Sequence, residues 1–176
     1  MSELTEFRKS KDDFFANDGH SPLTPPQCGR FNGLEYYPEN PDLRFELTIN
    51  ELADAQKERV DIATSTGDFQ PYLRWGTITF LVEGESATLS VYQAVDGEEF
   101  FLPFADASSG QETYGSGRYL DVLSLHGGKV LLDFNYAYNP YCAYNPNWSC
   151  PIPPLENRLK VPIRAGEKTF PDAAQD

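Results

Sequence analysis

Two stretches of this chain crowd polar, aromatic and glycine residues more densely than scaffold alone requires. They are SSGQETYGSGRYLD, from Ser108 to Asp121, and DFNYAYNPYCAYNPNWSCPIPPLENRL, from Asp133 to Leu159. In the first, Glu112, Tyr114, Arg118 and Asp121 surround Gly115-Ser116-Gly117. The glycines permit positive φ and let a ligand, or another stretch of backbone, approach closely. An arginine beside such a loop suits a planar carboxylate or phosphate, whose two oxygens match its paired N–H donors. The scaffold alternative is a buried Glu112–Arg118 ion pair that holds the loop, and the sequence leaves both open. The Lys-Ser/Thr of a nucleotide-binding P-loop is missing.

In the second stretch, alternation over Lys129–Phe134 puts Val130, Leu132 and Phe134 on one face. Asp133 then shares the opposite face with Leu131, and Asn135 joins them if the strand runs on. Such an Asp and Asn can bracket a polar group, or they can cap the irregular loop that follows by accepting its amides. The leading expectation is a small-ligand pocket. Tyr114, Tyr138 and Tyr144 would supply apolar walls with hydroxyl handles, Arg118, Asp133 and Asn135 would orient the ligand, and Asn139 and Asn157 would add to the polar set. One alternative is a hydrolase-like enzyme, because two carboxylates at a suitable separation with split pKa values suffice for it. Glu112 and Asp133 are its candidate catalytic residues. Another is a protein-docking surface made by the Tyr/Pro-rich loop from Tyr136 to Asn157. A nucleophilic triad is not expected: His126 lies beside Gly127-Gly128 at a hairpin tip, and His20 lies in a loop.

Three cysteines are an odd number, which argues against a disulfide framework. Cys28 stands alone in a Pro-rich loop. Cys142 and Cys150 enclose Ala-Tyr-Asn-Pro-Asn-Trp-Ser, a longer gap than paired zinc ligands use, and only two histidines could complete a set. No metal and no cofactor is expected. The pair reads either as two thiols filling core space or as a disulfide or redox couple, and a reducing cytosol favours free thiols.

The motifs S-G-x-E-T-Y-G-x-G-R-Y-L (Ser109–Leu120), D-F-N-x-A-Y-N-P-x-C-A (Asp133–Ala143) and C-P-x-P-P-x-x-N-x-L (Cys150–Leu159) occur in order. F-x-G-L-x-Y-Y-P (Phe31–Pro38) precedes them and A-G-E (Ala165–Glu167) closes the series. In these pieces the chain resembles a bacterial and archaeal family of domains of unknown function. The resemblance spans nearly the whole chain and implies the short form of the family, without the extra N-terminal β-rich region or export signal of larger relatives. It implies no activity.

A mainly β fold must carry these groups. Residues 2–16 read as a helix, with Ser2 as N-cap and Leu4, Phe7, Phe14 and Phe15 in one stripe. Lys11 falls inside that stripe, so its stem must snorkel or the helix packs only at its ends. Residues 17–33 form a connector, extended across the prolines of Ser21–Pro26, and residues 34–170 the β-rich core. Strands are predicted at Leu43–Ile49, Val60–Thr64, Thr77–Val82, Ala87–Gln93 and Phe100–Phe104. Turns fall at Glu83-Gly84-Glu85 and Asp96-Gly97. Tyr119–Leu123 and Lys129–Phe134 should pair across a turn, and Leu159–Ile163 should close the set. The expected architecture is one domain, 1–176: an antiparallel β-sandwich or partly open β-barrel with one N-terminal helix.

Composition bounds the partners. With 14 basic and 27 acidic residues the net charge is −13, which repels phosphate backbones and anionic membranes, so neither nucleic acid nor membrane is an expected partner. Acidity for solubility explains most of this, and a cationic ligand or a salty cytoplasm would also fit. A chain of this mass can bury about 70% of its unfolded surface, so stability needs no metal or disulfide. No apolar run approaches the ~20 residues of a membrane span, and the N-terminus has no apolar signal core, so the expected location is the cytoplasm.

Overall fold

A computed structural model describes residues 1–174. Its spine is one long hairpin, β4 (Phe69–Val82) and β5 (Glu85–Ala94). Glu83 and Gly84 both take positive φ, 52° and 82°, as a two-residue turn matched to strand twist requires. The hairpin register sets Ile78 opposite Leu89 and Phe80 opposite Ala87. All four are buried, as is Val82, so the predicted alternation does define the inner face.

Around this spine β2 (Asn50–Glu51), β6 (Phe100–Phe104) and β7 (Arg118–Asp121) extend a six-stranded antiparallel sheet in the order β2-β4-β5-β6-β7. Its sixth strand, β3 (Arg59–Ala63), also pairs with β4. A second antiparallel sheet, ordered β1-β9-β8, is built from β1 (Arg44–Thr48), β8 (Leu123–Ser124) and β9 (Lys129–Asp133). The two sheets close over a single apolar layer. Ile78, Leu89, Leu102, Phe104 and Leu120 face Val130 and Leu132, with Phe45 and Leu47 at the margin. Phe134 sits at the centre, its ring 5.3 Å from those of Phe80 and Phe104. Each fully buried side chain of this kind stabilises the fold by about 1.5–3 kcal/mol. The structure is therefore mainly β, two facing antiparallel sheets with no closed barrel, and of the two expected architectures it is the sandwich.

Helix α1 (Glu3–Asn17) begins as the sequence predicts, with the Ser2 hydroxyl accepting from the Thr5 amide at 3.2 Å. Its inward stripe differs from the expected one: Leu4, Arg8, Lys11 and Phe15, at the i, i+4, i+7, i+11 spacing of one helical face. Lys11 does not snorkel outward. It forms an ion pair with Glu167, whose side chain is 2% exposed. Arg8 donates to the carbonyls of Tyr37 (3.2 Å) and Asn135 (3.4 Å). Phe7, placed in the stripe by the sequence, is 39% exposed.

Four further expectations need correction. The connector holds a short helix, α2 (Pro25–Arg30), because Pro25 and Pro26 occupy the first helical turn, where their missing N–H is no loss. Strand β4 begins eight residues before the predicted Thr77, its first half disguised by Pro71 and by polar residues. Strands β7 and β9 do not pair; the chain crosses between sheets at Val122, so of the predicted Tyr119–Leu123 strand only Leu123, in β8, pairs with β9. Leu159–Ile163 forms no strand. The Leu159 amide bonds the Ala105 carbonyl (2.8 Å) and the Ala107 amide the Val161 carbonyl (3.2 Å), but the Ile163 carbonyl turns away to accept from Arg118.

Candidate functional site

The residues singled out in the sequence separate into three groups. The first is a buried polar lattice. Arg118, at the start of β7, has no exposed side-chain surface and pairs at 3.1 Å with Asp106, equally buried. It donates to the carbonyls of Ile163 (2.7 Å) and Glu167 (3.0 Å), and also to that of Ala165. Burial pushes its pKa down and Asp106 opposes the shift, so the guanidinium stays charged. Arg118 thus pairs with Asp106 rather than Glu112, and the planar partner it grips belongs to the protein. Gly117, with φ 100°, serves the same packing: a Cβ there would stand 2.5 Å from the Phe104 carbonyl oxygen. The close approach that the glycines permit is by backbone of β6.

Asn157 belongs to this lattice too. It accepts from the Ser90 amide at 2.8 Å and donates to the carbonyls of Ser90 (2.9 Å) and Pro103 (2.8 Å). Asn139 donates its amide to Glu167 (2.9 Å) and its side-chain nitrogen to the Lys168 carbonyl (2.9 Å). Tyr144, wholly buried, donates its hydroxyl to Glu167, and burial beside that carboxylate pushes its pKa well up. Asn135 is buried, accepting from the Asn40 amide (2.8 Å) and donating to the Asn40 carbonyl (2.9 Å). Asp133 caps this turn by accepting from the Asn135 amide at 3.0 Å, the capping role weighed for it in the sequence. Arg118, Asn135, Asn139, Tyr144 and Asn157 therefore line no common pocket with the other candidates.

Glu112 also stands apart. It is exposed, accepts from Tyr37 (3.1 Å) and Arg164 (3.0 Å), and the Arg164 guanidinium holds its carboxyl below the usual range. It does not line the cleft that holds Asp133, so the two carboxylates make no acid–base pair there. Of the tyrosines in the loop from Tyr136 to Asn157, Tyr136, Tyr138, Tyr141 and Tyr144 are all partly or fully buried, so they form no flat aromatic platform.

The second group is a cleft of about 440 Å³ between the start of α1 and residues of β1, β7, β8 and β9. Asp133 and Tyr138 line it with Asp121, Leu131 and Tyr136, which the sequence also brings forward, and with Glu3 and Phe7 from α1, Glu39, Arg44 and Leu123, which it does not connect to a site. Asp121 accepts from the Tyr138 hydroxyl at 3.0 Å, and Asp133 lies 3.7 Å from Arg44. No spacing rule could have found Glu39 and Arg44, because the cleft is assembled by packing α1 over strands from both sheets.

The third group is the thiol pair. Cys142 lies on a half-buried 3-10 turn, Tyr141–Ala143, and donates its amide to the sulfur of buried Cys150 at 3.3 Å. The Tyr114 hydroxyl stands 3.6 Å from the Cys142 sulfur. Cys150 is fixed from below by the β3–β4 turn, its amide donating to the Ser65 hydroxyl (3.1 Å) and its carbonyl accepting from the Ser65 amide (2.9 Å). Hydrogen bonds from Cys150, Tyr114 and Ser65 pull the Cys142 thiol down to about 6. Cys150 is pushed far up by its neighbour and by burial. The first proton thus leaves the pair early and the second late. All three cysteines are free.

The model of the family described as "Protein of unknown function (DUF1684)" matches residues 29–168. The chain belongs to the DUF1684 family. Among solved structures it is similar to an uncharacterized protein of Haloarcula marismortui determined by solution NMR. The two are 38% identical, the match covers 95% of this chain and 92% of that one, and the TM-score is 0.71. No curated protein matches. The DUF1684 match begins inside α2, so α1 lies outside it. Among the described residues, no helix is long and apolar enough to cross a membrane.

Proposed function

We propose that this DUF1684 protein binds a small amphipathic amine in the cleft between α1 and strands β7–β9. The observation that carries the reading is the cleft's composition. Four carboxylates, Glu3, Glu39, Asp121 and Asp133, border a floor of Leu131, Leu123 and Phe7, against one arginine already beside Asp133. Leu123 and Phe7 are 57% and 39% exposed inside this concavity, apolar surface that a ligand would cover. The volume, about 440 Å³, falls in the range of small-molecule sites. An ammonium would sit against Asp121 or Asp133, with Tyr138 and Tyr136 flanking it, and the hydrocarbon part would lie on the leucines. The net charge of −13 raises the local concentration of any cation around the molecule.

The test is a thermal-shift and calorimetric panel of alkyl and aryl amines beside carboxylates and alcohols of the same shape, at low and high salt. Amines with an apolar body should stabilise the protein even at high salt, and the combined Asp121→Asn, Asp133→Asn variant should lose that binding at least tenfold, about 1.4 kcal/mol. Equal binding of carboxylates, or amine binding abolished by salt alone, would refute the reading.

A further inference from the structure

We propose that Cys142 and Cys150 form a dithiol centre that exchanges with low-molecular-weight disulfides, Cys142 attacking and Cys150 resolving. The two thiols occupy unlike positions, as that division of labour requires. Cys142 is half-buried and reachable, with a phenol hydroxyl 3.6 Å away to stabilise its thiolate. Cys150 is 7% exposed and clamped to Ser65 through both its amide and its carbonyl. Its sulfur lies 3.3 Å from the backbone nitrogen of Cys142, within the approach from which side-chain rotation can close a bridge. The Tyr114 hydroxyl is held by burial as a proton donor, its pKa raised to about 12. Purely structural thiols have no use for such a donor, whereas a nucleophilic thiolate does.

The chemistry balances without any metal or cofactor. The Cys142 thiolate attacks one sulfur of R–S–S–R, an S–S bond forms to Cys142, and R–S⁻ leaves and takes a proton from solvent. Cys150 gives up its proton to solvent and attacks the Cys142 sulfur, forming the Cys142–Cys150 bond and expelling the second R–S⁻. The protein loses two electrons and two protons, and the small disulfide becomes two thiols. An excess of small thiol reverses both steps. The cleft plays no part, so this inference stands or falls apart from the proposed amine site.

The experiment incubates the reduced full chain with oxidised glutathione and maps the cysteines by mass spectrometry without reduction. The expected product is a Cys142–Cys150 bridge that dithiothreitol reopens, with Cys28 outside it, while Cys150→Ser should stop at glutathione on Cys142. Independently, iodoacetamide labelling of Cys142 in the unaltered protein should reach half its maximal rate near pH 6. Tyr114→Phe should move that midpoint upward by on the order of one pH unit. The labelling profile and the wild-type mapping carry the test if Cys150→Ser fails to fold. Two thiols left unmodified, glutathione retained on wild-type Cys142 without closure, or a labelling midpoint at the ordinary ~8.5 would each overturn the proposal.

Discussion

The protein contains two Arg–Asp pairs of the same chemistry in opposite surroundings. Arg118 and Asp106 are 3.1 Å apart, with no exposed side-chain surface on either. Arg44 and Asp133 are 3.7 Å apart at the cleft, their side chains 50% and 13% exposed. The first guanidinium also has three backbone carbonyls as acceptors, so both its terminal nitrogens are committed to the fold, while its Nε–H is buried without a partner. The second holds a single loose partner beside open space. Residue type therefore does not separate structure from site here. What separates them is whether the hydrogen-bonding capacity is already spent inside the protein.

Substitution at matched positions can break this contrast. Asp106→Ala should cost on the order of 3–5 kcal/mol in urea denaturation, because it strands a buried guanidinium, whereas Asp133→Ala, which removes a half-exposed ion pair and the cap on the Asn135 amide, should cost about 1–2 kcal/mol. Similar losses at the two positions would remove the distinction. A smaller effect is expected from the neutral members. Asn157→Ala leaves the Ser90 amide and the carbonyls of Ser90 and Pro103 without partners, a loss of about 3 kcal/mol, against about 1 kcal/mol for Tyr138→Phe at the cleft. The smallest effect belongs to exposed Glu112. Arg164 and Tyr37 lower its pKa in the folded state, which favours folding above the unfolded pKa and is lost as pH falls through the folded one. Wild type should therefore lie slightly above Glu112→Gln at neutral pH, and the two stability curves should converge only in strong acid. Any wild-type advantage should begin to fade only below about pH 4.

The sequence reveals the fold where a single physical signal dominates. Ile78, Phe80 and Val82 alternate into a Glu-Gly turn, and the hairpin follows; Ser2 precedes an amphipathic run, and a capped helix follows. It misleads where the same pattern serves another purpose. Leu159, Val161 and Ile163 alternate and turn inward, Leu159 partly buried and the other two fully, but the Ile163 carbonyl is needed by Arg118, so no ladder forms. The site is legible only in part for the same reason. Asp133 and Tyr138 do reach a cleft, whereas Glu39 and Arg44 are brought there by tertiary packing that leaves no local mark. The partner of Arg118 lies twelve residues back at Asp106 rather than at the nearer Glu112, since β6 and β7 pair Phe104 with Arg118 and so bring the residues just after Phe104 alongside. Tyr114 finds Cys142 across 28 positions that no spacing rule connects.

The Lys11–Glu167 pair joins residues 156 positions apart (167 − 11). Helix α1 is synthesised well before the carboxylate it needs. Until then its inward cations have no buried counterpart. Arg30 with Asp172, and Gln27 with the carbonyls of Tyr144 and Asp172, extend the same seam from α1 to α2. Contacts of such long sequence separation form late in folding and give the chain a closing step. The seam also couples α1 to the Ala165–Asp172 stretch: a fluctuation that lifts Lys11 away leaves the buried Glu167 carboxylate without its counter-charge.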